Sequence, residues 1–209
     1  MDHSRYGSVG PPLSQAEHDD ALSELVQIAV SGASARLRDM IGSAVNLTAP
    51  VVDIFNTSAA VDWRHWSTDE RIITVSQAFT GSLSGQMCLV LSDRDSQKVA
   101  RLVIGEADPD LGDHELIGDT LGEIGNVLLL GFLASIGSLL QMTFSVDLPK
   151  VEATTAKGLF LASQGVFLVI DMNFDHPGSG ARGHFSLILR LSTADALRDV
   201  VSGLVERVT

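Results

Sequence analysis

The chain has 209 residues, 45% of them hydrophobic but only 5% aromatic, so it can bury a core built mainly of Leu, Val, Ile and Ala. Its formal net charge of −12, with no basic run, excludes the clustered Lys and Arg that binding to nucleic acid or to an anionic membrane surface requires. Cys88 is the single cysteine, which excludes an internal disulfide; with six scattered histidines there is no zinc-ligand spacing either, and Cys88 between Met87 and Leu89 reads as a small buried hydrophobe.

Residues 1–12 are polar, with Gly and Pro, and lack the apolar stretch of a signal peptide, so they read as a flexible lead-in. A helix is predicted from about Leu13 to Val45, then a strand from Val51 to Phe55. The segment from Ala59 to Thr68 holds Trp63 and Trp66, which fit either an exposed binding feature or, the preferred reading, packing over one end of a sheet. Strands follow at Arg71 to Phe79, with the alternation of a half-buried strand, and at Gly85 to Leu91. Ser92 then caps a helix through Val103, with Asp95 as the acid of a shortened capping box. The second half gives a helix from Asp113 to Phe144, strands at Leu148 to Thr154, Val166 to Asn173 and His184 to Leu191, and a helix from Thr193 to Val208 capped by Ser192. Within its long helix the apolar run Val127 to Leu140 falls short of the ~20 residues of a bilayer span and reads as a core helix, in keeping with a cytoplasmic protein. His176 and the glycine-rich Gly178-Ser179-Gly180 read as a hairpin turn.

The same order of elements thus occurs twice, and polar landmarks repeat with it. Asp20, Glu24, Gln27 and Pro50 return as Asp119, Glu123, Asn126 and Pro149, each 99 positions on; Leu91, Ser92 and Asp95 return as Leu191, Ser192 and Asp195, 100 positions on. The expected fold is α+β, a tandem pseudo-twofold duplication of an α–β–β–β–α unit sharing one six-stranded, mainly antiparallel sheet packed with long helices. One unit alone would leave sheet edges bare. Residues 13–209 are therefore expected to form a single domain of two repeats, about 13–105 and 113–209.

On a helix, positions i, i+4 and i+7 share a face. Asp119, Glu123 and Asn126 stand in one row, and Asp20, Glu24 and Gln27 in another. An arbitrary row of this kind is usually only the solvated face of an amphipathic helix. Here the row is repeated with residue type kept, and each copy is followed by proline after the same 22 intervening residues. Gly118, Gly122 and Gly125 surround the second row, at about 1 kcal/mol each against alanine in a helix interior. Bare backbone there would suit either a partner's close approach or helix packing.

The pattern Asp-x-x-x-Glu-x-x-Asn, 22 residues, Pro, centred on Glu123-Ile124-Gly125-Asn126, resembles the CheC/FliY/CheX group of chemotaxis phosphatases. The resemblance runs from about Asp20 to the C-terminus and includes the glycines at 81 and 85. It implies a CheC-like fold and hydrolysis of the aspartyl phosphate of a CheY-like receiver domain, with Glu123 and Asn126 inserted into the receiver's active site. Asn126 would fix the attacking water and Glu123 would pair with the receiver's lysine, with Asp119 in a supporting role. The Mg2+ would be the receiver's, and this chain would hold no cofactor or metal. In the first copy Gln27 replaces the asparagine while Asp20, Glu24 and Pro50 remain, so Glu24 and Gln27 form a second, longer-reaching candidate pair. The unrelated CheZ phosphatases use a glutamine for similar work.

Two other functions fit the same sequence. One is a non-catalytic module of this fold that binds a receiver, a CheD-like deamidase or a flagellar-switch component, although a pure scaffold has no need to keep both Glu123 and Asn126. The other is a ligand-sensing domain with a cavity between the halves, for which no polar constellation is visible. No P-loop, dinucleotide fingerprint or nucleophile elbow occurs.

Overall fold

Two helices of equal length set the layout: α1 (Gln15–Ile41) and α3 (His114–Leu140), 27 residues each and 99 positions apart. In the computed structural model, which describes residues 15–47, 51–56, 67, 69–81, 83–105, 114–161 and 166–191, they pack against each other and against one face of a single sheet. Each helix buries an i, i+3, i+4 stripe, Leu22, Leu25, Val26, Ala29, Val30, Ala33 and Leu37 on α1, and Leu121, Ile124, Leu128, Leu129, Phe132, Leu133, Ile136 and Leu140 on α3. By length and hydropathy α3 could cross a membrane, yet 56% of that stretch is buried inside this fold. Its apolar surface is a core surface.

The first half continues with β1 (Asn46–Leu47), β2 (Val51–Asn56), β3 (Arg71–Gly81), β4 (Gly85–Ser92) and α2 (Asp93–Ile104). The second continues with β5 (Phe144–Val146), β6 (Lys150–Thr155), a short α4 (Ala156–Leu161), β7 (Val166–His176) and β8 (Ala181–Leu191). Every pairing is antiparallel. The order across the sheet is β1/β2, β7, β8, β4, β3, β5/β6. The strands after α1 pair with β7 of the second half, and those after α3 pair with β3 of the first. Each half therefore completes the other's sheet edge. At the centre, β4 meets β8 with Cys88 opposite Ile188, residues 100 apart, the spacing at which the Leu91-Ser92 landmark repeats.

The expected α+β architecture and antiparallel sheet are found. The sheet has eight strands rather than six, because the single strand expected after each long helix is two short strands in line on one partner. The long helices stop before Val45 and Phe144: α1 ends at Gly42, in the left-handed region at φ 72° with its N–H on the Arg38 carbonyl, and α3 at Gln141, φ 55°. Leu148, expected to begin a strand, lies in the loop before β6. Ser92 caps α2, its Oγ accepting from the Asp95 N–H at 3.0 Å. Asp95 does not close a capping box; it holds Lys98 Nζ at 2.5 Å and accepts from the His184 N–H at 3.3 Å. His176 and residues 177–180 form the β7–β8 turn, where His176 bonds Ser43 and Ser179 and ties that turn to the end of α1. The lead-in at 1–12, Trp63, Trp66, Pro50 and the helix expected after Ser192 lie outside the described residues.

Glycines allow the close helix crossing. A Cβ on Gly32 would stand 2.1 Å from Ser135 Oγ, and one on Gly131, 99 positions later, 3.0 Å from the Ala33 Cα and 2.8 Å from Arg36 Cδ. Since Ala33 Cα is backbone, Gly131→Leu should overpack the crossing by about 1–3 kcal/mol. That exceeds the helix-propensity gain of about 1 kcal/mol. Urea unfolding should show a net loss of stability. On the opposite sheet face Cys88 packs among Ile72, Val90, Phe167, Val169 and Ile188, and burial, helped by the nearby Glu152 charge, pushes its thiol up from 9.0 to about 12. The folded state thus favours the protonated thiol, a contribution present below pH 9 and lost as pH rises toward 12. Maleimide labelling of the native protein at pH 8 should be slow and should become fast only in denaturant.

Candidate functional site

α3 carries Asp119, Glu123 and Asn126 on one face, rising about 6 Å and then about 4.5 Å along its axis. Asp119 and Glu123 are exposed and Asn126 is half-buried at the inner end of the row. The two acids line an open groove of about 470 Å³, walled by Met40 of α1, Val103 of α2, and Pro149 and Val151 from the start of β6. Neither carboxylate forms an ion pair among the described residues. The motif proline is therefore part of the same wall as the motif acids, which explains a fixed spacing of 22 residues between Asn126 and Pro149: it is the length of chain needed to finish α3, make β5 and return over the row.

Behind the row lies a residue that the sequence reading missed. Gln77 of β3 is 2% exposed, and its Nε2 donates to Asn126 Oδ1 at 2.9 Å and to the Asp147 carbonyl at 3.0 Å. The polarity of this chain is set by chemistry. A backbone carbonyl can only accept, so Gln77 must turn its NH2 toward Asp147, and Asn126, facing that same NH2, must answer with its oxygen. Asn126 Nδ2 and a second lone pair on Oδ1 are left for other partners. Gln77 Oε1 has no hydrogen-bond partner among the described residues. One signal for Gln77 was available: in the alternating run Ile73, Val75, Gln77, Phe79 it is the polar residue in the apolar register.

The glycines beside the row divide by role. A Cβ on Gly125 would come within 2.4 Å of Val75 Cγ1, so this glycine lets α3 settle on β3, and one on Gly122 would touch Val151 at 3.5 Å. Only Gly118 faces open space. Of the two roles open to these glycines, a partner's close approach or helix packing, Gly125 serves neither: its close approach is to the protein's own sheet. Next to Pro149, Leu148 is 89% exposed, the most exposed large hydrophobic side chain among the described residues.

In the first half, Asp20, Glu24 and Gln27 are all exposed on α1, in the row expected of them. Their setting differs. Phe79 pairs with Val146 and Phe174 with Leu47, which lies 99 positions before Val146, so β3 and β7 correspond with Phe79 matched to Phe174. The counterpart of Gln77 is then Met172, buried at 4% exposure. No hydrogen-bond donor stands there, and the Gln27 amide has no partner among the described residues. No group of three or more His, Cys, Asp or Glu side chains gathers as a metal site among the described residues.

The fold and the row together define a class. Over 94% of this chain and all of the other, the structure superposes on the crystal structure of Thermotoga maritima FliY with a TM-score of 0.70 at 20% identity. It also superposes on the CheX–CheY–BeF3–Mg2+ complex from Borrelia burgdorferi with a TM-score of 0.55 at 18% identity, over 80% of this chain and 97% of that one. In sequence the chain is 22% identical over 156 residues to the CheY-P phosphatase CheC of Bacillus subtilis (strain 168), covering 71% of this chain and 74% of that protein. No protein-family model matches the chain. The resemblance to the CheC/FliY/CheX chemotaxis group therefore holds in both sequence and fold.

Proposed function

We propose that this chain, two copies of one α–β–β–β–α unit joined in a single domain, is a cytoplasmic phosphatase that hydrolyses the aspartyl phosphate of a CheY-like receiver domain. The observation that carries this reading is the row itself: Glu123 exposed on the groove and Asn126 one turn behind it, its amide already oriented by Gln77. An aspartyl phosphate needs little from its phosphatase beyond an aligned water, because the receiver supplies Mg2+ and a lysine that hold the phosphoryl charge. Asn126 is neither acid nor base near neutral pH. Its Nδ2 donates, and the lone pair of Oδ1 not taken by Gln77 accepts; these two contacts fix a water in line with phosphorus. Glu123 pairs with the receiver lysine and sets the register, and Asp119 supports it from the turn before. Leu148, exposed beside the groove residue Pro149, gives the receiver an apolar anchor. This chain contributes no metal.

Phosphate release from the organism's own phosphorylated receivers, with this protein at substoichiometric amounts, tests the proposal. Turnover is expected, and stoichiometric binding without turnover would mean a scaffold that engages a receiver, a CheD-like deamidase or a flagellar-switch component instead. Asn126→Ala should lower the rate by about 10²-fold or more, the scale of losing one transition-state contact. Gln27→Ala should matter less, since that longer amide has no clamp, and equal small effects from both would overturn the ranking of the two sites. Leu148→Ser should raise KM several-fold and leave kcat unchanged. Its stability should shift by less than about 0.5 kcal/mol, as for other exposed sites; an unchanged KM would remove Leu148 from the docking surface.

A further inference from the structure

We propose that Gln77 is the positioning residue for Asn126, and that the Met172 found at its counterpart makes the first-half site the weaker one. This rests on the reading of Asn126 as the water-orienting amide. Two observations carry it. Gln77 Nε2 bonds both Asn126 Oδ1 and the Asp147 carbonyl, so one buried amide links the helix bearing the motif to the loop bearing its proline. The fold does not need an amide at this point of the sheet: the matched position on β7 is the apolar Met172, equally buried. What Gln77 supplies is a fixed polarity. With the Asp147 carbonyl below, Gln77 can offer Asn126 only a donor, and Asn126 can then present its Nδ2 and one oxygen lone pair in only one orientation. A free asparagine side chain would interchange the two ends, and half of its orientations would offer the water the wrong partner.

The two halves of the chain both contribute to this arrangement. Gln77 belongs to the first half, and Asn126 and Asp147 belong to the second; they meet because the β5–β6 segment crosses to pair with β3. At the first-half row, Gln27 has the longer side chain, and Met172, at the position of β7 that matches Gln77, can donate nothing.

The test uses Gln77→Met in the full chain, which copies the counterpart residue and keeps the volume of the site. With an acetyl-phosphate-charged receiver as substrate, kcat should fall about 10- to 100-fold, the scale of losing Ångström-level placement of a reacting water. KM, and affinity for a beryllofluoride-activated receiver, should be unchanged, and the thermal midpoint should not fall. In an Asn126→Ala background the same substitution should have no further effect on kcat, because its action runs through Asn126. An unchanged kcat, or an equal loss in the Asn126→Ala background, would overturn the assignment and leave Gln77 as a loop anchor only. Side-chain amide spectra separate this inference from the phosphatase reading. In 15N-labelled protein the Asn126 NH2 pair should be displaced from the position of a free asparagine, because its Oδ1 accepts from Gln77, and Gln77→Met should return it to that position. If the wild-type chain turns over no receiver, that spectral change still decides whether Gln77 holds Asn126; an Asn126 pair that does not respond would reject it.

Discussion

The exchange of lead strands is the constraint on which the other features depend. After each long helix the chain does not return to its own half but pairs with the sheet edge of the other, β1 and β2 on β7, β5 and β6 on β3. An unpaired strand edge is a row of unsatisfied N–H and C=O groups. Neither half, taken alone, could satisfy its own. The exchange also determines which residues meet at the motif. The loop carrying the motif proline is laid over β3 of the first half, so the groove beside Glu123 draws Met40 and Val103 from one half and Pro149 and Val151 from the other.

The helix pair is the second requirement, and small residues meet it. Gly32 and Gly131 sit at matched places of the crossing, each against a residue four positions beyond the other, Ser135 and Arg36. This close approach holds both polar rows outward while both apolar stripes face the sheet. Gly125 then lets α3 descend onto Val75. The same descent brings Asn126 within hydrogen-bond reach of Gln77, two residues along β3. Packing and polar geometry at this site are consequences of one contact between helix and strand.

The halves share a scheme but not a setting. On the outer face the rows match residue for residue, apart from the exchange of Asn for Gln. In the interior they differ more: a buried amide with a defined donor direction lies under Asn126, and the matching position of β7 holds a buried thioether. A buried donor in a low-dielectric site exerts a strong orienting effect because nothing competes with it. That makes the interior difference as consequential as the exchange visible on the surface.

Much of this was legible in the residues alone. Both long helices were legible as extended helical stretches, and the structure shows their buried positions repeating at the period that burying one helix face requires. Alternation marked β3, and the echo of Asp20, Glu24, Gln27 and Pro50 at 99 positions located both rows and pointed to the CheC/FliY/CheX resemblance. These are local signals, carried by residues near one another in the chain. Short strands β1 and β5 left no such trace, since two or three residues cannot display a period. Which strand pairs with which, and hence that Gln77 lies under Asn126 49 positions away while Met172 lies where the first half would need its own donor, was decided only in three dimensions. Antiparallel pairing is chosen by the register of whole faces and the closure of edges, and no single stretch of sequence contains both partners.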